Sequence, residues 1–244
     1  MAIKEIYYKE ASFKLSYEIV NPQAQKVILI LHGWGSNKEI MKQSFGTRLP
    51  QYKHLYVDMP GFGKSSNTQI LSTQDYANIL QSFVTTLGIE VSIAMGHSFG
   101  GKVSTLLNPP CLVLLSSSGV LVPKVILVHF KIALFKLLKP LGLHKIQQLF
   151  VSPDAKGMSH EMYETFKNVV NEEFEQHFID NTSKALCFWG KADTATPLWS
   201  GEKIASLLEN APLYPLEGDH FFFVKHPDFI AETLITHCKE LDLC

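Results

Sequence analysis

"AMGHSFGGKV", residues 94–103, sets Ser98 among glycines at 96, 100 and 101. Glycine is required where the backbone takes a positive φ or where another group must come very close. Before the glycines lies a short apolar run, VSIAM (91–95), and after them a helical start, KVSTLL (102–107). A serine at so sharp a strand–turn–helix corner sits in strained backbone, and the residues two before and two after it, Gly96 and Gly100, must be tiny. The corner lifts the hydroxyl clear of the sheet at the positive end of a helix. The glycines therefore serve the serine, and Ser98 is the candidate nucleophile.

Outward from the corner, strands and helices alternate. IKEIYY and FKLSYEIV flank KEAS as an opening hairpin. KVILIL (26–31) is a continuous apolar run, as in a strand buried on both faces. HLYVD (54–58), CLVLLSSS (111–118), ALCFWG (185–190) and PLYPLE (212–217) follow as further strands. Between them KEIMKQSF, STQDYANILQSFVTTLG, PLWSGEKIASLLEN and PDFIAETLITHCKEL carry helical patterns, the second opening on a Ser-x-x-acid start. Alternation on this scale predicts an α/β fold, a mostly parallel sheet with helices on both faces.

Residues 120–182 break the alternation. Their first half, VLVPKVILVHFKIALFKLLKPLGLHKIQQLF, is apolar with five lysines and no acid; the second, SHEMYETFKNVVNEEFEQHFIDN, is acidic and amphipathic. Lys124, His129, Lys131 and Lys136 interrupt the apolar half too often for a membrane span. A helical lid over the end of the sheet fits better, inserted between core segments 1–119 and 183–244. Contact of that lid with a lipid surface is the minority alternative.

The bulk numbers narrow the classes. In 244 residues, 46% hydrophobic, there is enough apolar material for one sizeable core. A net charge of −1, from 22 basic and 23 acidic residues, gives no field directed at nucleic acid. Cys111, Cys187, Cys238 and Cys244 show no metal spacing, and the first two sit inside apolar runs. The first twenty residues lack the charge-then-apolar layout of a secretory signal, so a cytoplasmic protein with reduced thiols is expected.

A serine needs a base, and the base an orienting acid. WGKADTATP (189–197) sets Asp193 just past one strand, and LEGDHFFF (216–223) sets His220 just past another, both at the carboxyl ends where parallel sheets place their sites. Attack on a carbonyl also needs donors for the oxyanion. The backbone N–H of Phe99 is one candidate; that of Trp34, in LHGWGS (31–36) after KVILIL, is the other. No metal or cofactor is called for.

HGWG, DMPGFGKS, GHSFGG, WGKADTATP and GDHFFF together resemble the signature of α/β-hydrolase-fold serine hydrolases, over residues 32–223. The resemblance implies a sheet of about eight strands with a helical cap after the sixth, and a triad in the order Ser98, Asp193, His220. Two features depart from the pattern: Asn108-Pro109-Pro110 cuts the helix after the serine short, and serine rather than aspartate holds the nucleophile position, unlike the family's epoxide hydrolases and haloalkane dehalogenases.

Asp193 could cap the following helix, but the position after CLVLL reads SSSG and offers no rival carboxylate. Asp219 reads as a turn residue, His226 as a group at the start of a helix, His32 as a tie for its loop, and His97 as too close along the chain to reach the Ser98 hydroxyl. GKS in DMPGFGKS resembles a phosphate loop, but the glycine required five residues earlier is Asp58. FFFV (221–224), Trp189 and Trp199 read as core packing, and the side chains of Trp34 and Phe99 as pocket walls. The expected activity is hydrolysis of an ester or thioester with an apolar part. The rivals are a carbon–carbon bond hydrolase on the same scaffold and a relative that binds without turnover.

Overall fold

The computed structural model describes residues 1–122, 159–209 and 211–240. It opens with β1 (Ala2–Tyr8) and β2 (Ala11–Val20), an antiparallel hairpin. Its two-residue turn holds Lys9 and Glu10 at φ 46° and 63°, the pair of positive values that matches the twist of the flanking strands.

Six further strands complete the sheet: β3 (Val27–Leu31), β4 (Lys53–Val57), β5 (Val91–His97), β6 (Cys111–Leu115), β7 (Lys184–Gly190) and β8 (Leu213–Leu216). The order is β1-β2-β4-β3-β5-β6-β7-β8; β2 meets β4 antiparallel, and every pairing from β4 to β8 is parallel. Every residue of β3 and of β6 is buried, as an apolar run covered on both faces requires.

Side chains alternate between two packed layers. Ile28 and Ile30 of β3 join Met41 and Phe45 of α1 (Lys38–Phe45) and Ile230 and Leu234 of α7 (Pro227–Glu240). Leu29 and Leu31 face the other way, against Tyr76 and Leu80 of α2 (Thr73–Thr86) and Val103 of α3 (Phe99–Leu107). Leu112 and Leu114 of β6 share this second face with Ile204 of α6 (Leu198–Leu207). Truncating one such side chain to alanine costs about 2–5 kcal/mol.

The ends of the helices follow their sequences. Ser72 and Asp75 form a reciprocal capping box on α2. α3 stops at Leu107 because Asn108 turns left-handed (φ 45°) before the two prolines. Of the expected insertion at 120–182, residues 123–158 lie outside the described residues, and with them the reading of the lysine-bearing apolar half. The other half forms α4 (His160–Val170) and α5 (Glu175–Ile179). α4 packs Met162, Phe166 and Val169 onto the layer that holds Trp34 and Phe99. Among the described residues no helix is long and apolar enough to cross a membrane.

Two packing expectations fail. Val224, the last residue of FFFV, is 48% exposed, while the three phenylalanines before it are buried. Trp189 is buried but Trp199 is 44% exposed. α6 docks through Gly201, where a Cβ would fall 2.5 Å from the Trp189 ring, and that contact turns Trp199 outward.

Candidate active site

Ser98 stands between the last residue of β5 and the first of α3 at φ 51°, ψ −116°, a conformation that costs a non-glycine residue about 1–3 kcal/mol. The neighbours must be small. A Cβ on Gly96 would lie 2.2 Å from the Gly100 carbonyl oxygen, and one on Gly100 2.7 Å from that of Leu31. Gly101 is held by the same logic, since its Cβ would meet the Ser117 hydroxyl at 2.2 Å. The end of β6 clamps the corner: the Ser98 N–H donates to the Leu115 carbonyl (3.1 Å), and the Ser98 carbonyl accepts from the Ser118 N–H (3.1 Å).

The structure brings Asp193 and His220 together. His220 Nδ1 lies 2.8 Å from Asp193 Oδ2, and both residues are buried. The other carboxylate oxygen accepts from the N–H groups of Ala195 (2.8 Å) and Thr196 (3.0 Å), so the turn role and the pairing role coexist. The Thr196 hydroxyl lies 2.9 Å from Oδ2. Burial alone would push the Asp193 carboxyl up; the charge and hydrogen bond of His220, with bonds from Thr196 and Ser116, outweigh it and hold the group below the ordinary value.

Three residues to which the sequence assigned no supporting role hold this pair. Thr196 also reaches the Ser116 carbonyl (3.1 Å), and Ser116 bonds Asp193 from the end of β6. His97 is the third. Its Nε2 lies 2.9 Å from the His220 carbonyl oxygen; a carbonyl only accepts, so Nε2 carries a proton. Burial, then the adjacent His220, holds His97 well below its usual pKa. The two rings lie 4.6 Å apart, so the end of β5, next to Ser98, also supports the loop that carries His220. As expected, Asp219 accepts from the Phe221 N–H in a turn (2.9 Å), and His226 bonds the Glu217 carbonyl at the start of α7 (2.7 Å).

The loop after β3 lies against the serine, because a Cβ on Gly33 would stand 3.2 Å from that of Ser98. His32 fixes this loop by donating from Nδ1 to the Gly33 carbonyl (2.8 Å) and accepting at Nε2 from the Met59 N–H (3.1 Å). Burial pushes it down to about 4. Trp34 follows, its ring packed edge-on to Phe62 and Phe99. Phe99 is the first residue of α3, whose N–H the helix's own ladder leaves unpaired. DMPGFGKS wraps around its own aspartate: Asp58 is buried and accepts from Lys38 Nζ (2.7 Å) and from the backbone N–H groups of Lys38 (2.8 Å) and Lys64 (3.0 Å). A Cβ on Gly63 would collide with that carboxylate at 2.3 Å, so the glycine serves the turn and not a phosphate.

Ser98 opens into a cavity of about 390 Å³. Trp34 and Phe99 wall it, as expected, with Leu121, Phe166 and Val169 from the insertion; Lys102 and Glu172 also line it. Among the described residues no group of three His, Cys, Asp or Glu is disposed to hold a metal ion.

The chain belongs to the alpha/beta hydrolase family, whose profile matches residues 28–233. It is 25% identical to the uncharacterized hydrolase YugF of Bacillus subtilis, over 91% of this chain and 93% of that one. It is 24% identical to a pimeloyl-[acyl-carrier protein] methyl ester esterase of Proteus mirabilis, over 88% and 94%. Two solved structures share the fold: a thermophilic esterase from Thermogutta terrifontis (TM-score 0.76, 13% identity, 98% and 99% coverage) and the esterase EaEST from Exiguobacterium antarcticum (0.75, 20%, 96% and 98%). The protein is an alpha/beta hydrolase with esterases among its relatives.

Proposed function

We propose that the protein is a serine hydrolase cleaving a carboxylic ester or thioester with an apolar part through an acyl-enzyme. The observation that carries this reading is the buried Asp193–His220 pair, 2.8 Å apart, with the His220 loop tied to the strand that leads into the strained Ser98. Ser98 Oγ attacks the carbonyl carbon while His220 Nε2 takes its proton. The N–H groups of Trp34 and Phe99 hold the resulting oxyanion, and each such donor is worth about 2.7–4 kcal/mol to the transition state. Collapse expels the alcohol or thiol, protonated by His220. Water, deprotonated by the same imidazole, then releases the acid and restores the serine. Asp193 fixes the imidazole with its proton on Nδ1 and balances the imidazolium that forms.

The apolar walls of the cavity favour a hydrocarbon part on the substrate. The Proteus mirabilis relative, named for a methyl ester of an acyl chain, supports the same direction. A small-molecule ester is therefore the proposed substrate, with no cofactor. A panel of p-nitrophenyl esters tests the reading. Turnover by the parent protein, lost in Ser98→Ala with the circular dichroism spectrum kept, supports it; full turnover in Ser98→Ala contradicts it.

A further inference from the structure

Lys102 is a buried cation with no part in the steps above. It lies on α3 one turn beyond Ser98, about 6 Å along the helix axis. Its side chain is 2% exposed and ion-pairs with Glu172, which is 24% exposed. Its Nζ also donates to the Val169 carbonyl (2.9 Å), one of the last-turn acceptors of α4, and lies 4.7 Å from the centre of the Phe174 ring. Glu172 in turn accepts from the Thr73 hydroxyl at the start of α2. One buried pair thus joins the nucleophile helix, the inserted segment and α2. Both of its members face the cavity that Ser98 opens into, although the rest of that cavity is largely apolar.

We propose that the Lys102–Glu172 pair is the polar floor of the acyl pocket and determines specificity by limiting the chain that fits above it. The inference rests on the acyl-enzyme reading. A chain bound to Ser98 and running along the first turn of α3 heads toward the pair, because both of its members line the same cavity as Ser98. A longer hydrocarbon must displace Glu172 from Lys102 or press methylenes against two charges, and a buried cation stripped of its partner is heavily penalised. Short chains fit above the pair, and long ones are disfavoured.

The test compares the parent protein with the double variant Lys102→Met, Glu172→Leu. Replacing both members of a buried pair by apolar residues of similar size is commonly tolerated, whereas removing one strands the other. The parent should show a higher kcat/KM for p-nitrophenyl butanoate than for the decanoate. In the double variant the decanoate-to-butanoate ratio should rise by about tenfold or more, since each methylene newly buried is worth about a factor of four. Lys102→Arg, which keeps the charge, should keep the parent's preference. A parent that takes decanoate as well as butanoate overturns the proposal whether or not the variant folds, and so does a double variant whose ratio equals the parent's.

Absence of turnover on every ester would sink the ester-hydrolase reading and leave the pocket to be read directly. Calorimetry of hexanoate and dodecanoate binding to the same two proteins then decides. A dodecanoate-to-hexanoate affinity ratio raised about tenfold in the double variant supports the floor, and an unchanged ratio overturns it.

Discussion

The sharpest energetic consequence of the site concerns acid. His32 holds the loop that carries Trp34, and both of its ring nitrogens are committed: Nδ1 donates to Gly33 and Nε2 accepts from the Met59 N–H. A second proton on Nε2 would face that N–H, so the buried ring stays neutral down to about 4. In the unfolded chain a histidine takes its proton near pH 6.5. Between these two values the unfolded state binds the extra proton, so stability falls as the pH drops through that window. At about 1.4 kcal/mol per pH unit the loss from His32 approaches 3 kcal/mol at pH 4, a large part of an ordinary domain's stability. His32→Gln keeps a side-chain oxygen able to accept from Met59 and cannot titrate. Urea unfolding at closely spaced pH values should give the parent a slope steeper than this variant's by about 1.4 kcal/mol per unit near pH 5, the two converging to a constant difference above pH 7. Parallel curves from pH 4 to 7 would refute the reasoning.

Three further predictions concern the site. Thr196→Val deletes the hydroxyl beside Asp193 Oδ2; kcat for a p-nitrophenyl ester should fall by about tenfold to a hundredfold with KM little changed, and a KM effect alone would contradict the assigned role. His97→Phe keeps the ring packing on Phe221 and Phe223 but loses the bond to the His220 carbonyl, so steady-state kinetics should show kcat reduced about tenfold and urea unfolding a loss of about 1–3 kcal/mol. Gly96→Ala sets a methyl 2.2 Å from the Gly100 carbonyl oxygen, and calorimetric unfolding should show a loss of about 3 kcal/mol or more together with loss of turnover.

Much of this was legible from local pattern. The buried strands announce themselves as unbroken apolar runs because both faces of β3 and β6 are covered. The elbow is legible because a strained serine leaves no alternative to glycine at 96 and 100. Asp193 and His220 could be found because each follows a strand in the one place where parallel sheets gather side chains. The supporting residues carry no such mark. His97 bonds a carbonyl 123 positions away, Lys102 meets Val169 across 67, and Thr196 reaches Ser116 across 80; pairs of that separation leave no period or spacing in the chain. The exposure of Trp199 is hidden in the sequence for a related reason. The orientation of its helix is set by where Gly201 lets the backbone touch Trp189, a contact between two elements that neither announces alone.

Mass spectrometry of the protein treated with a fluorophosphonate probe bears most directly on the central claim, that His220 activates the Ser98 hydroxyl. The account predicts a single stoichiometric adduct on the peptide bearing Ser98, formed quickly by the parent and far more slowly by a folded His220→Ala variant. An unlabelled Ser98 in folded parent protein, or labelling equally fast without the imidazole, would contradict it.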